Sequence, residues 1–380
     1  MKKIVLFITT YLIITISSAY PTEAEEKPST PIINSESAIV LEANTGKVIY
    51  EKYADSELYP ASLTKIATAI YAIETGDLED SVTVSKNAYE TKGSSVYLKE
   101  GDEVKLRQLV EGLMINSGND AGVAIAEHLS GSVDEFSEDI NEYLKEVIGV
   151  KNTTFKNPHG LFDPGHTTTA KDLAEITQYA MKNSTFNEIY STKKMEWKSE
   201  SWDATLYTHH KLMREDPYEG VTGGKTGYVR ESGFTLATTS SRENTTLIVI
   251  TMKSDRKQQV YEDTKDLLDY GFENYETTSF AEGTTFVRYN NQYRVPETVH
   301  FTHLKEEPIN YEVTKTGEMT FFTYEGEALT TIQLLKVSPL LNHYYLPFTE
   351  WSVKKENLRA HSETACKGEL FLTFSCLPKL

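Results

Sequence analysis

Tyr59-Pro60-Ala61-Ser62-Leu63-Thr64-Lys65 sets a hydroxyl and an amine one helical turn apart. A serine is a poor nucleophile until a neighbouring base takes its proton, and a lysine is that base only where its surroundings hold it neutral. Ser-x-x-Lys also occurs at Ser191/Lys194, Ser254/Lys257 and Ser352/Lys355, so context has to choose. Around Ser62, Pro60 comes first, and Leu63, Ile66, Ala67 and Ile70 then recur at the spacing of a buried helix face. The spacing predicts a helix with Ser62 in its first turn, Lys65 on the same face and a stop at Thr75-Gly76. The other three pairs sit in strongly polar surroundings, where a solvated lysine is expected.

With an ordinary pKa near 10.4, about one lysine in roughly 2500 is neutral at pH 7, a cost of about 4.6 kcal/mol. Burial and a second cation both lower that pKa, so the chain should contain another lysine able to approach Lys65. Lys225-Thr226-Gly227 follows Thr222-Gly223-Gly224 and precedes an apolar strand, which places it on a sheet edge that a ligand backbone can approach. The same tripeptide at Lys315-Thr316-Gly317 lies between two short strand-like runs and reads as a hairpin turn. Ser117-Gly118-Asn119 joins two helices, an arrangement that turns a hydroxyl and an amide towards a cleft; alone, Ser117 reads as a cap or loop serine. A second Ser-x-Asn, Ser85-Lys86-Asn87, sits in polar loop.

The remaining chain divides by pattern. Lys2-Lys3, the apolar run Ile4 to Ile16 and Ser17-Ser18-Ala19 form a signal peptide over 1–19; the run is shorter than the roughly 20 residues of a membrane span. Residues 20–34, with Pro28 and Pro31, read as a linker. Ser37 to Ala43 and Lys47 to Tyr53 flank Asn44-Thr45-Gly46 as a β-hairpin. Helical patterns follow at 106–114, 120–129 and 133–147, then a breaker-rich loop at 157–168, then a helix opened by Thr169 and Asp172. Strands return at Phe234 to Thr239 and Leu247 to Met252, with a last helix at about Val260 to Tyr270. Strands at both ends and helices between predict an α+β domain over 35–276, its sheet assembled from its termini. Short strand-like runs between 280 and 348 predict a small all-β domain, and 349–380 is a mixed tail.

Composition narrows the function classes. A formal charge of −18, spread along the chain, disfavours nucleic-acid binding and gives no basic patch for an anionic membrane. The two cysteines, Cys366 and Cys376, both lie near the C-terminus, so the core is not disulfide-stapled. Metal-ligand spacing is absent, no cofactor is implied, and the pair His209-His210 is expected on a loop or the surface.

Ser-x-x-Lys, Ser-x-Asn and Lys-Thr-Gly, in this order and after an export signal, are the motif set of penicillin-binding proteins and class A β-lactamases. The chain resembles a low-molecular-mass penicillin-binding protein, a serine-type D-alanyl-D-alanine carboxypeptidase, over about residues 35–350. That resemblance implies a β-lactamase/transpeptidase-like catalytic domain, an antiparallel sheet with a helical cluster, followed by a small all-β domain. It implies that Ser62 attacks the carbonyl between two D-alanines of a peptidoglycan stem peptide, with Lys65 as general base. Ser117 and Asn119 relay the proton and hold the peptide, Lys225 and Thr226 bind the terminal carboxylate, and Gly227 belongs to the same substrate-binding strand. The backbone N–H groups of Ser62 and Tyr228 form the oxyanion hole, and Arg256 adds a positive charge for the carboxylate. β-Lactam antibiotics would acylate the same serine, and the protein would work outside the cytoplasmic membrane. Gly160-Leu161 and His166 to Ala170 resemble a loop of these enzymes, in which His166 is a holding residue and not a proton carrier. Relatives often end in a membrane-lying amphipathic helix, which implies peripheral membrane contact through the C-terminus, but Trp351 to Leu380 shows no clean apolar stripe. Two rivals remain: a class A-like β-lactamase, whose Glu-x-x-x-Asn spacing is missing between Lys145 and Ala180, and a non-catalytic wall-binding or β-lactam-sensing protein.

Overall fold

The hairpin expected around Asn44-Thr45-Gly46 forms as β1 (Ser37–Glu42) and β2 (Val48–Lys52) and starts the central sheet. The computed structural model describes residues 28–199 and 201–337. The signal segment, residues 20–27 of the linker, residues 338–348 and the tail lie outside the described residues. After the hairpin, a 3-10 turn (Ala61–Leu63) leads into α1 (Thr64–Thr75). Then follow β3 (Ser81–Thr83), α2 (Lys86–Tyr89), β4 (Glu103–Lys105), α3 (Leu106–Ile115), α4 (Asn119–Ser130), α5 (Val133–Tyr143) and a π turn (Leu144–Ile148). Next come α6 (Ala170–Ala180), α7 (Ser184–Tyr190), the hairpin β5 (Lys194–Lys198) and β6 (Asp203–Tyr207), and α8 (Lys211–Arg214). The sheet is completed by β7 (Val221–Val229), β8 (Gly233–Arg242) and β9 (Thr245–Ser254), and α9 (Lys257–Asn274) closes the α/β part.

The strand order β2-β1-β9-β8-β7 is antiparallel throughout, so the first strand of the chain lies beside the last strand of the sheet. Both faces are covered, which is why β1 and β9 read as continuous apolar runs and not as alternation. Ile39, Leu41, Ile248 and Ile250 point into the core shared with the helical cluster, whereas Ala38, Val40, Leu247 and Val249 pack with Leu267 and Leu268 of α9. α1 is buried from Thr64 to Ala72 and touches α3, α4, α5, α6 and α7, so the helix that follows Ser62 is the axis of the helical layer. Its partner strand β7 is left at the sheet edge.

Beyond α9 every regular element among the described residues is a strand: β10 (Tyr275–Phe280), β11 (Thr285–Arg288), β12 (Asn291–Arg294), β13 (Val299–Leu304), β14 (Asn310–Val313), β15 (Glu318–Phe322), β16 (Ala328–Gln333) and β17 (Leu335–Val337). Its core holds Tyr293, Val295, Phe301, Met319 and Phe321. It meets the central sheet through polar groups. Glu42, fully buried, accepts from the backbone N–H groups of Asn44, Thr45 and Thr246, and the Thr45 hydroxyl lies 2.8 Å from that of Thr302.

The structure departs from the sequence reading in detail. Ser62 lies in the 3-10 turn and not in the first α-helical turn. The elements α2, β4, α7, β5, β6, α8, β10 and β13 have no counterpart among the expected ones, and α2 replaces the polar loop expected at Ser85-Lys86-Asn87. The period-2 alternation of Lys194 to Lys198 and Asp203 to Tyr207 is present but spans only five residues each, with Trp197 and Leu206 the buried side chains of the two strands.

Candidate active site

The turn that carries Ser62 is pinned from two sides. Ala61 has φ +47°, outside the region a β-carbon favours, so the backbone turns sharply just before the serine. On one side, the Thr235 hydroxyl of β8 donates to Pro60 O at 3.0 Å, and a β-carbon on Gly227 of β7 would stand 2.9 Å from Ser62 N. On the other side, a β-carbon on Gly160 would stand 1.8 Å from Ala61 O, and Gly160 itself has φ +86°. Only glycine fits either place.

Beneath this turn, Lys65 is fully buried. Its Nζ donates to Ser62 Oγ at 3.0 Å, Asn119 Oδ1 at 2.7 Å and His159 O at 2.6 Å. Burial pushes the Lys65 amine well below its ordinary range, the nearby charge of Lys225 pushes it further, and Asp120 pulls the other way. Lys225, also buried, donates from Nζ to Ser117 Oγ and to Thr226 O, both at 3.0 Å, and burial lowers its pKa to about 7. Ser117 has φ +60° at the junction of α3 and α4, which aims its hydroxyl back at the sheet edge. Two lysines and two serines thus form two hydrogen-bonded pairs, with Asn119 tied to the first.

The loop behind Ser62 is built around neutral histidines. The Lys156 N–H donates to His166 Nδ1 at 3.0 Å, which leaves the ring proton on Nε2, 2.8 Å from Thr64 Oγ1. That hydroxyl in turn donates to Ala61 O at 2.9 Å. Burial lowers the His166 pKa to about 3, so the ring stays neutral and positions the turn. His159 contributes its carbonyl to Lys65, and Asn157 braces the loop by accepting from the Gly160 N–H at 2.7 Å.

Of the residues singled out in the sequence, Ser62, Lys65, Ser117, Asn119, Lys225 and Gly227 converge here. Thr226 is half-buried on the edge strand, and Tyr228 is exposed, its ring against Phe234. Arg256 is exposed at the start of α9, and among the described residues no hydrogen bond joins it to the cluster. Lys315 lies in the turn between β14 and β15, and Ser85 caps α2. His209-His210 lie on the loop before α8, as expected, but only His209 is at the surface: His210 is buried behind Gly224, with Nε2 2.8 Å from Thr238 Oγ1. The sequence reading missed Asp120 and the His159 carbonyl. An acidic residue in the first turn of α4 was a signal for the former; a backbone carbonyl leaves none.

This fold is that of the penicillin-binding proteins. Penicillin binding protein 5 from Haemophilus influenzae superposes with a TM-score of 0.71 at 26% identity, covering 81% of this chain and 98% of that one. Penicillin binding protein 6B from Escherichia coli gives a TM-score of 0.71 at 28% identity, covering 82% and 98%. In sequence, residues 24–256 match the family model described as D-alanyl-D-alanine carboxypeptidase. The D-alanyl-D-alanine carboxypeptidase DacF of Bacillus subtilis is 30% identical over 322 residues, which is 83% of this chain and 79% of that protein. The chain belongs to the D-alanyl-D-alanine carboxypeptidase family of serine peptidases.

Proposed function

We propose that this enzyme removes the C-terminal D-alanine from peptidoglycan stem pentapeptides through an acyl-enzyme on Ser62, which limits cross-linking. One observation carries the assignment of roles: Lys65 and Lys225, both buried, each hold a serine hydroxyl at 3.0 Å. Neutral Lys65 takes the Ser62 proton as Oγ bonds to the scissile carbonyl carbon. The N–H groups of Ser62 and Tyr228 receive the oxyanion, and Lys225 with Thr226 and Gly227 binds the terminal carboxylate of the substrate. When the C–N bond breaks, the leaving amine takes its proton from Lys65 through Ser117, while Asn119 holds the peptide. Water, deprotonated through the same lysine, then releases the shortened peptide and restores Ser62. A β-lactam presents a strained amide to the same oxygen. Arg256, exposed on α9, is the long-range charge of this scheme.

The basic and apolar start of the chain supports export to the wall side of the membrane, where stem peptides are found. Peripheral contact through residues 351–380 is tested by fractionating cells that express the chain with and without them; equal distributions would exclude it. The enzyme assay is D-alanine release from a pentapeptide together with covalent labelling by a fluorescent penicillin. Ser62→Ala is expected to abolish both, and labelling that survives it would sink the assignment. High turnover of a chromogenic cephalosporin without D-alanine release would favour the β-lactamase reading.

A further inference from the structure

Asp120 is the second residue of α4 and is buried, yet no part of the scheme above uses it. Its carboxylate faces segment 92–98, which has no regular structure and so no ladder partners for its backbone. Oδ1 accepts from the Val96 N–H at 3.0 Å and the Ala121 N–H at 2.9 Å; Oδ2 accepts from Ser95 Oγ at 2.5 Å and the Leu98 N–H at 3.1 Å. Its neighbour Asn119 grips the same segment, donating from its backbone N–H to Ser94 O and from Nδ2 to Lys92 O, both at 2.7 Å. Asn116 Nδ2 adds a bond to Ser95 O at 2.9 Å, and Trp202 Nε1 holds Val96 O from the outside at 2.8 Å. The amide that accepts from Lys65 is therefore fixed in the same clasp that Asp120 closes.

We propose that Asp120 is a positioning residue of this enzyme: it locks segment 92–98 to the Ser-x-Asn turn and places a buried carboxylate next in the chain to the Asn119 amide that accepts from Lys65. The inference rests on the reading of Lys65 as the base for Ser62. Charged and titratable groups around Lys65 are Lys225 from β7, Asp120 from α4, His209 from the segment before α8, and the two loop histidines His159 and His166. Both loop histidines are buried and held neutral. Facing Asp120 from segment 92–98 are the Ser95 hydroxyl and the backbone N–H groups of Val96 and Leu98, while the side chain of Lys92 is exposed. Asp120 thus supports the proton affinity of Lys65 against burial and Lys225.

The test is the pH dependence of acylation by a fluorescent penicillin in the full chain. Asp120→Asn keeps the shape and removes the charge. It is expected to move the acid limb to lower pH by about one unit and to lower the plateau about tenfold. Ser95→Ala leaves the charge and removes one bond of the clasp; it is expected to keep the acid limb and lower the plateau about threefold. An Asp120→Asn enzyme with the wild-type acid limb would overturn the proposal, as would Ser95→Ala with the wild-type plateau. If Asp120→Asn does not fold, Ser95→Ala decides alone. Wild-type protein that takes no label would remove the reading of Ser62 itself, whereas a labelled wild type with an unmoved limb removes only the role of Asp120.

Discussion

At the scale of the residue, Lys65 is a base because two effects act on it together. Burial disfavours its charged form, and Lys225 adds a like charge from the facing strand. Lys225→Gln should therefore raise the Lys65 pKa and shift the acid limb of penicillin acylation to higher pH, opposite to the shift expected for Asp120→Asn. An unchanged profile in Lys225→Gln would mean that the charge of Lys225 does not act on Lys65. The sequence could call for a second lysine because the cost of neutralising the first is large. It could not show that Lys225 reaches Ser117, a contact spanning 108 positions.

At the scale of the element, the 3-10 turn at Ala61–Leu63 is not stable by itself; the sheet edge and the 157–169 loop hold it. Gly160→Ala puts a methyl group onto Ala61 O and forces a positive φ on alanine. The expected result is a loss of about 3 kcal/mol in urea unfolding, with slower acylation at Ser62. Near-wild-type stability and acylation would show that the loop can move aside. Helix periodicity gave α1, α3, α4 and α6 in outline, although α1 from Thr64 to Ala72 and α4 from Asn119 to Ala126 are buried all round and not along one stripe. It did not give the β5–β6 hairpin, whose alternation runs over only five residues per strand and whose Trp197 packs against α3 at Gly112.

At the scale of the whole molecule, three buried histidines tie stability to pH. His166 and His210 have pKa values lowered to about 3, and His159 is lowered well below 6.5, in each case first by burial. A folded pKa below the unfolded one means that the neutral form favours folding. This contribution is complete above about pH 6.5 and is lost as pH falls towards 3. Thermal unfolding should show a falling Tm across that window. His166→Asn should have a lower Tm at pH 7 but a shallower acid slope; parallel slopes in variant and wild type would rule out His166 as a source. Removing one of the three leaves the other two, so the slope should flatten without vanishing.

The sequence by itself determined the class of fold and most of the reacting groups. Strand-type runs at both ends with helical stripes between them require a sheet closed by the chain's two halves, and nucleophile and base lie within one helical turn. What only the tertiary structure decided is everything that depends on distance across the chain. The loop carbonyl of His159 against Lys65, the Asp120 clasp, Gly227 against Ser62 N and the burial of His210 all arise where separate elements meet. Packing made those contacts, and neither residue type nor local spacing encodes them.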